Sequence, residues 1–467
     1  MILCPTLKSC WYWSERQTIP QIVVDRQVII KVHPGTHSCG IGTTLFDHSL
    51  ISISAVDPLN PPIFNCNYSS FIDFMLNPQS QYPNDTQRNI TLDSLTINGS
   101  YLMASNLISV IGMKTMKCNF VMNNVLVSGF TGQPMNYQAS TGVYTKDFNV
   151  TMINTTISQV SGSQGAVLLD TPKRVLIDGC QFINNPGSFS ASAISIQGSQ
   201  YWYESNLAHI RINNSTFNGN SHGSVMKISR FQNLDVINCT FKDNDNLNVV
   251  WTESGAYLVF NDTIITNNRL NGSVIISTRG YHSLNRCNLT NNLVSSDGVI
   301  NLKKALLVEL NLKETRFLNN TYYLRDNEQV LGLDINFNSG FKINGGYFQD
   351  IREPLLSGFP EYIYDVDNTN VTYHNDPSDC PWDQQSLYRG EQLGWQCVKI
   401  WFNSVKYHES SSDDQWYDDD SDYGYHSTMK RAILIGTIGS VLVGVTFIAS
   451  CGVLIREMKK KVELKQD

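Results

Sequence analysis

Few side chains in this chain of 467 residues have the spacing of a catalytic group. Cleavage of a glycosidic bond requires two carboxylates flanking the bond, and consecutive Asp residues occur only between Asp413 and Asp420. No Gly-x-Ser-x-Gly, phosphate-binding Gly-rich loop or His-Glu-x-x-His is present. The nine His have no metal-ligand spacing, and no Cys-x-x-Cys pair indicates zinc. The motifs predict a protein without catalytic residues, bound metal or cofactor.

The densest group of acidic side chains lies in residues 409–427. It comprises Glu409, Asp413, Asp414, Asp418, Asp419, Asp420 and Asp422. Like charges this close repel one another, so the run predicts an extended stalk. A calcium site is the alternative, but alternating Asp ligands around a Gly turn are missing.

The 11 cysteines divide by their place in the chain. We expect Cys39 to pair with Cys66, and Cys380 with Cys397, where a disulfide would stabilise a small aromatic-rich module; Cys4 and Cys10 are a further possible pair. Cys451 falls in an apolar segment, and Cys118 has no assignment. A third group of cysteines occupies the same position of an internal repeat, and its members lie two coils apart from one another. That distance is too long for a disulfide, so we predict buried free thiols: Cys180, Cys239 and Cys287.

Composition restricts the class of protein. Lys and Arg number 34 against 41 Asp and Glu, so the net charge is 34 − 41 = −7, and charged residues make up 16%. Binding to nucleic acid requires clustered Lys and Arg, so we expect no nucleic-acid partner. With 41% hydrophobic residues the chain is long enough and apolar enough to form a large core.

Residues 432–455 contain neither charge nor proline, which predicts a transmembrane helix and a lipid-bilayer partner. The tail 456–467 is short and basic, which predicts a cytoplasmic location for it. Small residues recur at every fourth position of the helix, so weak self-association through this face is possible: Ala432, Gly436, Ser440 and Gly444.

Fourteen Asn-x-Ser/Thr sequons are present, roughly twice the number that chance gives for this composition. They favour a glycoprotein at the plasma membrane, with an extracellular N-terminal domain. The first 25 residues show no signal peptide, so a truncated start or a tail-anchored protein facing the cytosol are the alternatives. The candidate sites are Asn67, Asn84, Asn89, Asn98, Asn149, Asn154, Asn213, Asn214, Asn238, Asn261, Asn271, Asn288, Asn319 and Asn370.

A repeat of about 24 to 35 residues runs through residues 90–350. Each repeat has an apolar anchor, another apolar residue five positions earlier and a small residue two positions earlier. Six consecutive repeats also carry Asn three positions after the anchor: Asn185, Asn220, Asn244, Asn268, Asn292 and Asn320. The anchors are Leu102, Val127, Ile157, Phe182, Phe217, Phe241, Ile265, Leu289, Phe317 and Phe348.

Short alternating strands in a repeat of this length predict an all-β protein, a right-handed parallel β-helix followed by one transmembrane α-helix. The Asn at each corner is expected to hydrogen-bond its counterpart about 4.8 Å away in the next coil. We predict a cap with first coils (1–89), β-helix repeats (90–350), a cysteine-bracketed module (351–408), the acidic stalk (409–431), the membrane helix (432–455) and the tail (456–467).

The Phe-x-x-Asn repeats, such as Phe217 to Asn220 and Phe241 to Asn244, resemble the pectin-lyase-like right-handed β-helix superfamily and polymorphic surface-protein repeats. The sequons and the single C-terminal helix resemble β-helix membrane proteins of social amoebae. Galacturonase-like members use Gly-His-Gly and then Arg-Ile-Lys. This chain has Arg211-Ile212-Asn213 before Ser221-His222-Gly223, so we expect His222 to be a solvated loop residue.

These features predict a cell-surface protein for recognition or adhesion, without catalysis. Its partner would be carbohydrate or another surface protein, because the flank of a solenoid is a common binding face. A structural coat protein with no specific ligand, and a membrane-tethered polysaccharide lyase or hydrolase, are the alternatives.

Overall fold

The computed structural model describes residues 27–323 except for short gaps, and the backbone of several strands between residues 329 and 399. The gaps are 40–42, 47, 68, 77–86, 100, 103–105, 114–115, 133–140, 188–189, 200–207, 256, 296–297 and 303–305. The predicted Cys380–Cys397 pair, the acidic stalk, residues 432–455 and their small-residue face lie outside the part whose side chains are described. Among the described residues, no helix is long and apolar enough to cross a membrane. The predicted plasma-membrane location stays a prediction.

Sheet 1 is the largest sheet and has 23 strands. In most coils a long strand and a short strand both belong to it. Its strands are Gln27–Val32, Thr36–Ser38, Leu50–Ala55, Ile63–Cys66, Arg88–Asp93, Thr96–Gly99, Cys118–Asn123, Leu126–Ser128, Asn149–Ile153, Thr156–Ser158, Arg174–Asp178, Gln181–Ile183, Ala208–Asn213, Thr216–Asn218, Phe231–Ile237, Thr240–Lys242, Tyr257–Asn261, Ile264–Thr266, Arg279–Asn285, Asn288–Thr290, Leu306–Leu318, Lys342–Gln349 and Val371–His374.

Sheet 2 has 12 strands and sheet 3 has five. Sheet 2 comprises Thr43–Phe46, Ile72–Leu76, Asn106–Ile111, Thr141–Lys146, Val167–Asp170, Ala191–Gln197, Ser224–Ser229, Asn248–Glu253, Ile275–Ser277, Ile300–Leu302, Ile335–Phe337 and Leu356–Ser357. Sheet 3 comprises Asp245–Asn246, Arg269–Leu270, Leu293–Val294, Thr321–Tyr323 and Gln329–Leu331. Two strand pairs complete the structure: Tyr101–Leu102 with Thr131–Gly132, and Gln384–Tyr388 with Trp395–Lys399.

Strands of successive coils pair in parallel within sheets 1 and 2, so the protein is a parallel β-solenoid of about nine turns. This confirms the predicted parallel β-solenoid. Nine predicted anchors, from Val127 to Phe348, follow one another in register. The first anchor was wrong: Ile97, not Leu102, pairs with Val127. The 30-residue step from Ile97 to Val127 equals the step from Val127 to Ile157, whereas the expected anchor was five residues too late.

The interior is filled by the apolar residue of every second strand position. Phe217 is fully buried between Phe182 and Phe241, with ring centroids 4.8 Å and 4.5 Å away and nearly parallel planes. Because successive coils are about 4.8 Å apart, identical residues at one position are brought to stacking distance. The Phe repeat of the sequence therefore becomes a continuous aromatic stack.

The predicted Asn ladder is present and buried. The side-chain amide of Asn220 donates to Oδ1 of Asn244 at 3.0 Å, and that of Asn244 donates to Oδ1 of Asn268 at 2.8 Å. Each amide also donates to the backbone carbonyl of the anchor residue in the preceding coil, as Asn244 does to Phe217 at 3.1 Å. The ladder continues through Asn185, Asn220, Asn244, Asn268, Asn292 and Asn320.

The small residue before each anchor lies in a second buried column. Thr263 donates its hydroxyl to the carbonyls of Asn261 and Val236, and Cys239 places its thiol in the same way against Ile237 and Ile212. The column contains Thr155, Cys180, Ser215, Cys239, Thr263, Cys287 and Thr315. Cys180, Cys239 and Cys287 are free buried thiols, as predicted, and Cys118 is a fourth.

We expect these column thiols to resist alkylation in the folded protein. Burial raises the pKa of Cys180, Cys239 and Cys287 to about 11, which leaves little thiolate at pH 8. Iodoacetamide labelling followed by peptide mass mapping should show modification of Cys239 only after denaturant is added. Labelling of Cys239 in the native protein at pH 8 would contradict the assignment.

The turns between strands explain why Asn is so abundant. Asn154, Asn214 and Asn238 have positive φ angles of 46°, 48° and 52°, a region that Asn tolerates better than most residues. The threonine two positions later begins the next short strand in each case. Turn geometry and strand composition thus create Asn-x-Thr patterns at these corners, independently of any glycan.

Candidate functional site

The outer face of sheet 2 carries the candidate site. Side chains alternate along a strand, and strands of successive coils pair in register, so one residue per coil forms an outward line. Tyr144 pairs with Leu168, which pairs with Ser195. Ser195 pairs with Lys227, which pairs with Trp251. Tyr144, Lys227 and Trp251 therefore lie on one side of the sheet, and four steps of about 4.8 Å separate Tyr144 from Trp251 by roughly 19 Å. Leu168 and Ser195 between them are buried, so the line is accessible only at its two ends.

A cluster of ionisable side chains lies at the Tyr144 end. Lys146 and Asp170 are register partners and form an ion pair, with Nζ 3.8 Å from Oδ2. Asp147 follows Lys146, and its backbone N–H donates to the carbonyl of Asp170 at 2.9 Å. The Thr171 hydroxyl donates to Oδ1 of Asp147 at 2.6 Å. Two carboxylates on adjacent coils are thus held close together.

The surroundings of Asp170 make its carboxyl a weaker acid than an exposed aspartate. Burial raises the pKa of this carboxyl, and the nearby Asp147 raises it further, while Lys146 lowers it. Burial also raises the pKa of Tyr144 to about 12, with added repulsion from Asp170 and Asp147. Tyr144 is therefore a neutral hydrogen-bonding group at any physiological pH.

The two carboxylates have different environments. Asp170 is partly buried, which raises its pKa, whereas the Asp147 carboxylate accepts a hydrogen bond from the Thr171 hydroxyl. Two neighbouring carboxyl groups are the groups that acid–base chemistry on glycosidic bonds requires.

A second cluster lies at the other end of the line. Nζ of Lys227 sits 4.0 Å from the ring centroid of Trp251 and 3.8 Å from Oε1 of Glu253. The cation fixes the indole on the outer face, and all three side chains are partly exposed. An ordered aromatic ring beside paired charges is a typical component of a ligand-binding surface.

Most of the residues singled out from the sequence lie away from the two clusters on sheet 2. His222 is exposed on a turn, at φ 61°, beside Ser221, and Arg211 lies on the outer face of sheet 1. Cys39 and Cys66 are bonded to each other, with their Cα atoms 4.8 Å apart. The structure does not describe two sequons, Asn84 and Asn370.

The remaining sequon asparagines fall into two groups, and several take part in hydrogen bonds between coils. Asn149, Asn213, Asn261 and Asn288 lie in strands, as do Asn89 and Asn98, whereas the others lie in turns. The bonded pairs include Asn119 to Asn89, Asn149 to Asn119, Asn238 to Asn214, and Asn285 to Asn261.

Sequence reasoning missed the Asp147–Asp170 pair because it searched for carboxylates close together along the chain. The two residues are 23 positions apart, and coil stacking alone brings them together. Aligning the strands of sheet 2, as was done for the anchors, would have revealed them. In the described part of the chain, no group of three His, Cys, Asp or Glu side chains has the arrangement of a metal site.

Comparison with known proteins gives few matches. No protein-family model and no curated protein matches the chain. One solved structure is the alginate lyase AlyF-OU02 with G6, at 13% identity and TM-score 0.40, covering 79% of this chain and 86% of that one. Another is a mannuronic acid specific polysaccharide family 6 lyase from human gut microbiota, at 12% identity and TM-score 0.37, covering 76% and 83%.

These comparisons correct the predicted function. The prediction of a non-catalytic cell-surface adhesion protein is contradicted and is not carried further. The two solved structures are polysaccharide lyases, and at these identities the likeness concerns the β-helix fold alone. At Asn154, Asn214 and Asn238 the geometry of the solenoid corner accounts for the sequon by itself, and glycosylation of the candidate asparagines stays a prediction. The parallel β-solenoid follows from the strand register and is the conclusion that stands.

Proposed function

We propose that this protein binds a polysaccharide along the outer face of sheet 2 and hydrolyses it at the Tyr144 end. The observation that supports this proposal most strongly is the pair Asp147 and Asp170, which lie on adjacent coils. Asp170 is partly buried and its pKa is raised, whereas Asp147 accepts a hydrogen bond from Thr171. The partly exposed Lys227 and Trp251 further along the same sheet support the same proposal, because two separated contact points suit a polymer better than a small ligand.

In the proposed reaction, Asp170 is the general acid. Its protonated carboxyl donates a proton to the glycosidic oxygen as the bond from that oxygen to the anomeric carbon breaks. Asp147 accepts a proton from the attacking water as the water oxygen bonds to the anomeric carbon, and that proton returns through solvent to Asp170 before the next turnover. Each turnover consumes one water and creates one reducing end.

The neighbouring side chains position the sugar and tune the acid. Tyr144 remains neutral and offers a hydroxyl to a sugar oxygen, while Lys146, whose Nζ lies 3.8 Å from Oδ2 of Asp170, orients that carboxyl and lowers its pKa. The Lys227–Trp251 pair lies far enough away to contact a sugar unit several positions along the chain.

The direct test is release of reducing ends from a panel of polysaccharides, beginning with alginate and including neutral polymers. Asp170→Asn should lower the rate by at least about 100-fold, because it removes the acid proton. Asp243→Asn is the matched control, since Asp243 is an exposed turn residue with φ 54° that Asn accepts, and its rate should be unchanged.

The pH profile gives a second readout. The acid must be protonated, so activity should fall as the pH rises through the pKa of Asp170, which lies above the usual value of 3.8. Because Lys146 lowers this pKa, Lys146→Met should move that fall to higher pH. Release that is unaffected by Asp170→Asn, or an unsaturated ultraviolet-absorbing product that indicates elimination, would overturn the proposal.

A further inference from the structure

The outer face of sheet 1 carries a separate line of polar and aromatic side chains. Arg174 pairs with His209, which pairs with Asn233. Asn233 pairs with Tyr257, which pairs with Tyr281. Five consecutive coils thus place these side chains on one outward line about 19 Å long, with cations at one end and phenols at the other.

The two tyrosines form the aromatic end. Tyr257 is 51% exposed, although the other large side chains of its coil are mostly buried. Its ring is tilted against that of Tyr281, with centroids 6.0 Å apart. Asn311 donates to the Tyr281 hydroxyl at 3.1 Å, which orients the second ring. The pair therefore presents a fixed, accessible aromatic surface.

The other end is basic. Lys173, Arg174, His209 and Arg211 are all exposed there. No ion pair within 4.0 Å involves them in the described structure, whereas Lys146, Lys227 and Arg286 each contact a carboxylate.

Two carboxylates also face this end, and they do not cancel its charge. Asp178 accepts a hydrogen bond from Asn214, and Asp235 is the register partner of Arg211. With three permanent cations against two carboxylates, the patch has a charge of 3 − 2 = +1 in a chain of net charge −7. The guanidinium groups therefore favour an anionic ligand.

We propose that this line is a second binding site, for an anionic polysaccharide. Arg174 and Arg211 would hold carboxylate or sulfate groups, because guanidinium binds such oxygens through paired hydrogen bonds. Tyr257 and Tyr281 would pack against sugar rings. The site lies on a different sheet from Asp147 and Asp170, so it does not depend on the proposed hydrolysis. Nucleic acid fits less well, because its binding requires more cations than this patch provides.

The test measures binding of the full-length protein to alginate, heparin and dextran. Binding is measured in the Asp170→Asn background, and release of reducing ends is followed in the same samples. Any remaining cleavage is then detected separately from binding, so the two proposals can fail independently. Arg174→Gln with Arg211→Gln should weaken alginate and heparin binding at least tenfold and make it less sensitive to salt. Tyr257→Ala with Tyr281→Ala should weaken both, while leaving the salt dependence unchanged. The matched control is Arg269→Gln, an exposed arginine on sheet 3, which should bind normally.

Three results would overturn the proposal. One is binding of alginate and heparin that is no tighter than that of dextran. Another is equal loss in the Arg269→Gln control. A third is binding of polyglutamate or single-stranded DNA that matches alginate and falls with the same two Arg substitutions, since the ligand would then be a polyanion without sugar rings or a nucleic acid. Circular dichroism of each variant checks that the solenoid is folded.

Discussion

Asn244→Ala should lower the free energy of unfolding by at least about 3 kcal/mol, the estimate for several buried polar groups left without partners. Asn244 is 1% exposed and lies in the middle of the ladder. Its side-chain oxygen accepts from both the backbone N–H and the side chain of Asn220, at 2.9 Å and 3.0 Å, and its amide donates to Phe217 and Asn268. Alanine removes all four contacts, yet the two donors of Asn220 and the Phe217 carbonyl stay buried.

Asn244→Asp makes the test more specific. The carboxylate is nearly the same size but cannot donate, and it would face the oxygen of Asn268 at close range. Urea unfolding of both variants should show a loss at least as large for Asp as for Ala at neutral pH. Asn218→Ala is the control, because Asn218 points outward from the adjacent strand and is half-buried; its change should stay within about 0.5 kcal/mol. A ladder variant as stable as this control would show that the ladder is not a source of stability.

Phe217→Ala should cost about 3–5 kcal/mol, the range for emptying a fully buried aromatic site. Both ring faces of Phe217 are covered, by Phe182 and Phe241, and the coils above and below are held apart by their own backbone hydrogen bonds. The cavity therefore collapses poorly.

Phe217→Leu keeps most of the volume, so its cost should stay below about 1.5 kcal/mol. Ile264→Ala removes a comparable apolar group from the outer face of sheet 1, where 42% of the residue is already exposed, and should cost far less. The same urea series measures all three. If Phe217→Ala and Ile264→Ala had similar effects, the aromatic stack would not be part of the stabilising core.

The buried columns were predictable because they repeat along the chain. A β-helix must place one apolar residue at the same inner position of every coil, so the Phe, Asn and Thr/Cys columns appear in the sequence at a constant offset. The prediction failed at Leu102, because the anchor of this coil is Ile97, five residues earlier. Asn154, Asn214 and Asn238 are turn residues with positive φ angles, each followed two positions later by a strand threonine. The fold therefore accounts for these three sequons, and their glycosylation stays a prediction.

The sequence by itself determined the solenoid, the ladder and the buried thiols, since each arises from a residue type repeated at one position of the coil. Only the tertiary structure brought Asp147 to Asp170, and Arg174 into line with Tyr257. Outward side chains have no such periodicity, because solvent accepts any polar residue there. The number of residues in each coil determines which outward side chains become neighbours, and along the Asn ladder that number varies from 24 to 35. Contacts on the outer faces are therefore decided by the stacking of the coils.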